Sequence, residues 1–155
     1  MRTRILIVDD HEIVRMGLKS HLLKSRPDWD ICGEGTDGEQ AVQLTDELSP
    51  NLVVLDITMP RLSGLEATSR MRKLGFKTPV LIFTTHEFPT LASEVREVGA
   101  QGYVLKSQAV RDLIRAIDVI LEGGTFFGIP QKAEAKRDDK SNPGAVFFQG
   151  FAFAR

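Results

Sequence analysis

The sequence has little cysteine, no excess of either charge and no long apolar run, and each of these absences excludes something. Its single cysteine, Cys32, rules out an internal disulfide, which fits a reducing compartment. A formal net charge of −1 gives no general attraction to nucleic acid or to anionic lipid. No apolar run approaches the ~18 residues of a membrane-spanning helix, and the N-terminal run is too short for a secretory signal. We therefore expect a cytoplasmic protein without membrane association.

The chain does contain a series of short apolar runs at wide spacing. They are continuous rather than alternating and mostly rich in Val and Ile, which is typical of strands buried on both faces of a parallel sheet. Helical patterns lie between them, of which the apolar stripe over 110–121 is the clearest. Strands that alternate with helices predict a doubly wound α/β domain with five of each. The predicted strands lie at 5–8, 29–35, 52–55, 80–83 and 103–105.

The chain divides at about residue 127. Residues 1–127 carry the strand and helix patterns, whereas 128–155 show no sustained periodicity and end in nine residues that hold four of the nine phenylalanines. We expect 1–127 to form one domain and 128–155 to be an aperiodic tail without a recognisable output domain. That tail is interpreted as a natural end, the remnant of a longer protein or residues added by cloning.

Polar side chains follow four of the five predicted strands, at the point where each strand ends. Right-handed crossovers would bring these ends to one edge of the sheet. Clustered carboxylates without histidine or cysteine favour a hard cation such as Mg2+. A nearby ammonium adds further positive charge, and a phosphoryl group is the natural anion to balance both. The side chains in question are Asp9, Asp10, Asp56, Thr84, Thr85 and Lys106.

These residues resemble the receiver domain of two-component response regulators. The resemblance rests on the acidic pair and on "LDITMP", "LSG", "FTT" and "GYVLK", and it covers residues 4 to about 127. "DDHEIVRMGL", "DGEQAV" and "EGGTFF" are similar to the NarL/FixJ subfamily, in which a LuxR-type helix-turn-helix follows the receiver. The resemblance implies a flavodoxin-like (βα)5 fold with a parallel five-stranded sheet of order 2-1-3-4-5. It also implies a role in phosphorelay signalling and transcription regulation.

The resemblance further implies a phosphoacceptor site. Asp56 would take a phosphoryl group from a cognate sensor histidine kinase. Asp10, Asp56 and the backbone carbonyl of Thr58 would bind Mg2+, with Asp9 acting through water. Lys106 would pair with the phosphoryl oxygen. The chain would catalyse only its own phosphorylation and autodephosphorylation, so it would not be an enzyme in the ordinary sense.

The same resemblance implies a switch. Thr84 would move toward the phosphoryl group, and Tyr103 would swing inward into the space vacated. Thr58 and His86 would line the approach to the acceptor and tune dephosphorylation, and phosphorylation would control a partner or homodimerisation. Gly64 is expected to supply a positive φ in the loop after the acceptor. One departure from many receivers is Ser107, which follows Lys106 where a proline is common.

Three other functions are weighed against the switch. A degenerate or truncated receiver would act only as a docking module. A phosphohydrolase of the haloacid dehalogenase type also uses an aspartate nucleophile and Mg2+, but it needs a second acid at the position of Thr58. Direct DNA binding is not expected, because 128–155 are too short and aperiodic for a four-helix helix-turn-helix.

Overall fold

The computed structural model describes residues 2–127, in which strands and helices alternate along the chain. The elements are β1 (Arg4–Val8), α1 (Glu12–Ser25), β2 (Asp30–Gly35), α2 (Gly38–Leu48), β3 (Leu52–Leu55), α3 (Gly64–Lys73), β4 (Val80–Thr84), α4 (Leu91–Glu97), β5 (Gly102–Leu105), α5 (Ala109–Leu121) and β6 (Phe126–Phe127). The five predicted strands and five predicted helices are therefore confirmed. The predicted tail, 128–155, lies outside the described residues.

The strands form one parallel sheet of order β2-β1-β3-β4-β5-β6. This confirms the predicted order 2-1-3-4-5 and adds a sixth strand at the edge. Val8 lies opposite Leu55, and Thr84 lies opposite Leu105, so the carboxyl ends of these strands finish at nearly the same level. Whatever follows them is brought to a single edge of the sheet.

The apolar runs are continuous because helices cover both faces of the sheet. On β1, Ile5 and Ile7 pack with α1 and α5, while Leu6 and Val8 pack with the other three helices. All four side chains are buried. At about 25 cal/mol per Å² of apolar surface removed from water, these two layers supply the main stabilisation of the fold.

Three helices end at glycines, and one position of the predicted apolar stripe over 110–121 is exposed instead of buried. Gly75, Gly99 and Gly123 have φ values of 89°, 92° and 96°, which places each in the left-handed region that ends a helix. Val110 belongs to the apolar stripe of α5 by spacing, yet 85% of it is exposed. It stands in the first turn of α5, directly after a short 3-10 turn over Lys106–Gln108, so the stripe becomes buried only from the next turn onward.

The sixth strand depends on a glycine in its neighbour. Phe126 pairs with Gly102 and Phe127 with Tyr103. A Cβ atom at Gly102 would lie 2.0 Å from the carbonyl oxygen of Phe126, so only glycine admits this pairing. Phe126 is buried, and β6 therefore closes the edge of β5.

None of the helices within residues 2–127 combines the length and the apolar character needed to cross a membrane.

Candidate functional site

The sheet delivers the predicted site residues to one edge. Asp9 follows β1, Asp56 follows β3, Thr84 ends β4 and Lys106 follows β5. Three of these are almost fully buried, with exposed fractions of 1% for Asp9 and 5% for both Asp56 and Thr84. The backbone N–H of Asp56 donates to the carbonyl of Val8, which fixes β3 against β1 at the site. The predicted convergence at strand ends is therefore present.

Lys106 joins the two buried carboxylates. Its Nζ lies 2.7 Å from Oδ2 of Asp9 and 3.4 Å from Oδ1 of Asp56. Burial, and then the negative charge of Asp9, raises the pKa of Asp56 to about 6, although Lys106 acts in the opposite direction. At neutral pH the Asp56 carboxylate is therefore mostly ionised, poorly solvated and close to a cation.

The acidic pair also forms a cluster with the residue that follows it, His11. His11 is the N-cap of α1, and its backbone N–H donates to Oδ1 of Asp9. Its Nδ1 lies 3.3 Å from Oδ1 of Asp9 and 3.2 Å from Oδ1 of Asp10. Within residues 2–127, these three form the one group of three or more acidic, histidine or cysteine side chains close enough together to share a metal ion.

The donor set fits a hard divalent cation. Oδ2 of Asp9 is buried and accepts no well-aligned hydrogen bond among the described residues, although Lys106 stands beside it. A single ammonium thus serves two buried carboxylates and leaves Asp10 unneutralised, and carboxylate oxygens are the ligands that Mg2+ prefers. The cluster shares Asp9 and Asp10 with the predicted magnesium set. The ligand roles of all four predicted residues, Asp9, Asp10, Asp56 and the Thr58 carbonyl, stay predictions.

The loop after Asp56 is closed by a glycine, for a different reason from the one predicted. The backbone N–H of Gly64 donates to the carbonyl of Ile57 at 2.8 Å. A Cβ atom at Gly64 would lie 2.0 Å from the carbonyl oxygen of Asp56. The prediction of a positive φ at Gly64 is wrong, because Gly64 opens α3 with helical geometry and close approach is what requires glycine there.

The positive φ in this loop belongs to Arg61, at 66°. Its guanidinium pairs with Asp37, a buried carboxylate that caps α2 by accepting the N–H of Gln40. Sequence reasoning missed both residues as part of the site region. The cap itself has a sequence signal, since Asp37 stands three residues before Gln40 at the start of a helical pattern.

Tyr103 on β5 is buried, and its hydroxyl donates to Oε2 of Glu87 at 3.3 Å. Phe127 packs edge-to-face against its ring, with centroids 6.3 Å apart, and the Arg96 guanidinium lies 3.9 Å above the Phe127 ring. Burial, followed by the charge and hydrogen bond of Glu87, raises the pKa of Tyr103 to about 12. The predicted switch residue is thus tied both to the β4–α4 loop and to the last strand.

This pKa is directly testable, because the chain contains a single tyrosine. In a spectrophotometric titration, tyrosinate absorbance is expected with a midpoint of about 12, compared with about 10 for the denatured chain. Folded protein keeps the proton longer, so stability falls as the pH rises from about 10 toward 12. Glu87→Gln removes the negative neighbour and should lower the midpoint. A midpoint near 10 while circular dichroism still reports a folded chain would contradict the packing described.

The remaining predicted positions lie at the surface of the same edge. Thr58 and His86 are both exposed, in the loops after β3 and β4. No cis peptide bond occurs within residues 2–127, so Lys106–Ser107 is trans. The predicted influence of Thr58 and His86 on dephosphorylation stays a prediction.

Comparisons with known proteins agree on one family. A family profile described as "Response regulator receiver domain" matches residues 5–118. The chain is 40% identical over 123 residues to the transcriptional regulatory protein YdfI of Bacillus subtilis. The aligned region covers 79% of this chain and 57% of that protein. It is 34% identical over 125 residues to the transcriptional regulatory protein DegU of Brevibacillus brevis, covering 81% of this chain and 52% of that protein. The chain thus spans about half the length of the curated relatives it matches.

The fold comparison gives the same result. The crystal structure of a two-component response regulator of the LuxR family from Aurantimonas sp. SI85-9A1 superimposes with a TM-score of 0.76 at 39% identity. The match covers 81% of this chain and 89% of that one.

Proposed function

Because the chain belongs to the response regulator receiver family, we propose that its residues 1–127 act as a phosphorylation switch with Asp56 as the acceptor. Receiver domains are signalling modules rather than enzymes with a turned-over substrate. The observation that carries the proposal is the pair of buried carboxylates, Asp9 and Asp56, held at one sheet edge by a shared Lys106.

Asp56 is the proposed nucleophile. One oxygen of its carboxylate attacks the phosphorus of a phosphohistidine, an O–P bond forms, and the N–P bond of the donor breaks. The electron pair leaves on the imidazole nitrogen, which takes up a proton. A pKa of about 6 keeps Asp56 ionised at neutral pH while its burial withholds the water that would otherwise stabilise the charge. In autodephosphorylation, water attacks the phosphorus, the O–P bond to Asp56 breaks, and inorganic phosphate leaves.

Asp10, Asp56 and the carbonyl of Thr58 are the residues we propose to hold Mg2+, with Asp9 acting through water. When bound, the ion would neutralise the charge that builds up on the transferring phosphoryl group. Lys106 already lies within hydrogen-bonding reach of the Asp9 carboxylate and near Asp56, so it can follow the phosphoryl oxygen as that group arrives. Its ammonium supplies a charge-assisted hydrogen bond.

The switch follows from the charge added. A phosphoryl group brings roughly 1.5 to 2 negative charges and three strong acceptors. The Thr84 hydroxyl at the end of β4 is drawn toward it, and Tyr103 on the next strand takes up the space released. Charge-assisted hydrogen bonds of about 1.5 to 3 kcal/mol each are large enough to shift a two-state equilibrium about tenfold to a hundredfold.

A sensor histidine kinase is the proposed donor, which places the reaction in the cytoplasm. Ile13 is 77% exposed in the first turn of α1, three residues after Asp10, and it is the apolar contact that we propose for kinase docking. The relatives named above are transcriptional regulators, so a transcriptional output, direct or through a partner or dimer, is proposed for this chain. Residues 128–155 by themselves are not proposed to bind DNA.

The proposal is tested by incubating the purified protein with Mg2+ and a small phosphoramidate donor and reading the intact mass. One added phosphoryl group is expected, and chelation of the metal should prevent it. No mass change in the wild type would favour the docking-module alternative. Continued release of phosphate from a phosphate monoester, turnover after turnover, would favour the hydrolase.

A further inference from the structure

The loop between β3 and α3 contains a strained turn. The N–H of Leu62 donates to the carbonyl of Pro60 at 2.7 Å, which closes a three-residue turn around Arg61. Arg61 has a φ of 66°, so the turn is the rare kind that non-glycine residues seldom adopt. Strain of this kind persists only where the surroundings over-determine it, and it collects at functional sites.

What holds the turn is a buried carboxylate on another element. Asp37 is 2% exposed, and its Oδ2 lies 2.9 Å from Nε and 2.7 Å from Nη2 of Arg61. Its other oxygen accepts the N–H of Gln40 at 2.8 Å. The hydrogen bond from Gln40, and then Arg61, lowers the pKa of Asp37 in spite of its burial. The carboxylate is therefore charged, fixed at the start of α2, and aimed at the loop.

The loop is also seated by backbone contact. A Cβ atom at Gly38 would lie 2.1 Å from the carbonyl oxygen of Leu62, so the start of α2 touches the loop directly. At the other end, Gly64 contacts the backbone of Asp56 and bonds to Ile57. Residues 57–63 are thus fixed at both ends, and the ion pair lies on the α2 side.

We propose that Asp37 and Arg61 are positioning residues that hold residues 57–63 so that Asp56 and the carbonyl of Thr58 keep the geometry needed for Mg2+. This rests on the proposed function, since it assigns a purpose to the loop of the same site. Neither residue touches the acceptor, so they act through the backbone. Partners that orient metal ligands from outside the coordination sphere typically change metal affinity by tenfold or more when removed.

The test compares variants that separate loss of the Asp37–Arg61 ion pair from relief of the backbone strain at Arg61. Arg61→Ala and Asp37→Asn are expected to raise the Mg2+ concentration at half-saturation about 10-fold. Asp37→Asn keeps a capping side chain on α2. Arg61→Lys should retain most of the affinity because it keeps the charge. Arg61→Gly should lie between, because glycine adopts the turn without strain but loses the pair.

Two readouts are needed, calorimetric titration with Mg2+ and hydrogen exchange of the Leu62 amide in metal-free protein. Faster exchange of the Leu62 amide in Arg61→Ala and Asp37→Asn, together with weaker Mg2+ binding, is expected. Arg26→Ala is the matched control, because it removes an ion pair between α1 and α5 far from the loop and should leave both readouts alone.

The possible outcomes separate this inference from the proposed function. Lower melting temperatures with unchanged Mg2+ affinity and unchanged Leu62 exchange would make the pair merely structural and overturn the inference alone. An equal loss of affinity in Arg26→Ala would do the same, since it would show a general effect of destabilisation. A wild type that binds no Mg2+ would overturn the proposed function, and this inference with it.

Discussion

Asp56→Asn is expected to take up no phosphoryl group and yet to unfold at a higher temperature than the wild type. The amide cannot act as the nucleophile, so labelling should be lost entirely. The stability gain follows from the raised pKa of Asp56, which means that folding makes the carboxylate harder to ionise. In metal-free protein at neutral pH the gain should be about 1 to 3 kcal/mol.

The gain in stability of Asp56→Asn over the wild type should depend on pH. Between about pH 4 and pH 6 the folded chain binds more protons at Asp56 than the unfolded chain, so the wild type loses stability as the pH rises through this window. The advantage of Asp56→Asn should therefore be full above about pH 6 and vanish near pH 4. Thermal unfolding across this range measures it, and Asp46→Asn, an exposed carboxylate on α2, is the control. Equal stability of the variant and the wild type at neutral pH would show that burial of the Asp56 carboxylate does not destabilise the folded protein.

Lys106→Met is expected to have the opposite effect on stability and a large effect on rate. Without the ammonium, the buried carboxylates of Asp9 and Asp56 face each other uncompensated, which should cost about 2 to 4 kcal/mol at neutral pH. The charge-assisted bond to the phosphoryl group is lost as well, so phosphorylation should slow about 30- to 100-fold. Urea unfolding and the rate of mass increase measure the two effects.

The matched control is Lys19→Met. Lys19 lies 2.7 Å from Glu34, but that pair is partly exposed on α1 and β2, so its loss should cost less than about 1 kcal/mol. Adding Asp9→Asn to Lys106→Met should return part of the lost stability, because it removes one of the two repelling charges. A Lys106→Met variant as stable and as rapidly phosphorylated as the Lys19→Met control would contradict the role given to Lys106.

The strands and helices were predictable because their signals are local and repeated. The run from Ile5 to Val8 is continuous and apolar, which is typical of a strand covered on both faces. The sixth strand was missed because two residues carry no periodicity, and its pairing depends on the absence of a side chain at Gly102, far away in sequence. Val110 fitted the helical stripe, yet the place where α5 begins relative to the sheet is set by tertiary structure.

The site was predictable as a set of strand ends but not as a set of contacts. Topology alone brings Asp9, Asp56 and Lys106 to one edge. The sequence could not show that Arg61 takes a positive φ, because no local pattern marks that conformation and its ion-pair partner, Asp37, lies on another element. It likewise could not show that His11 turns its ring toward both acids rather than to solvent.

The central claim, a phosphoryl group on Asp56, is tested most directly by locating the group after labelling with Mg2+ and a phosphoramidate donor. Reduction with borohydride converts an acyl phosphate on aspartate into homoserine, which peptide mass spectrometry places in the sequence. The account predicts homoserine at position 56 and at no other aspartate, with none when Mg2+ is chelated. Homoserine at Asp9 or Asp10, or a phosphoryl group that resists reduction because it lies on a hydroxyl such as Thr58 or Thr84, would contradict it.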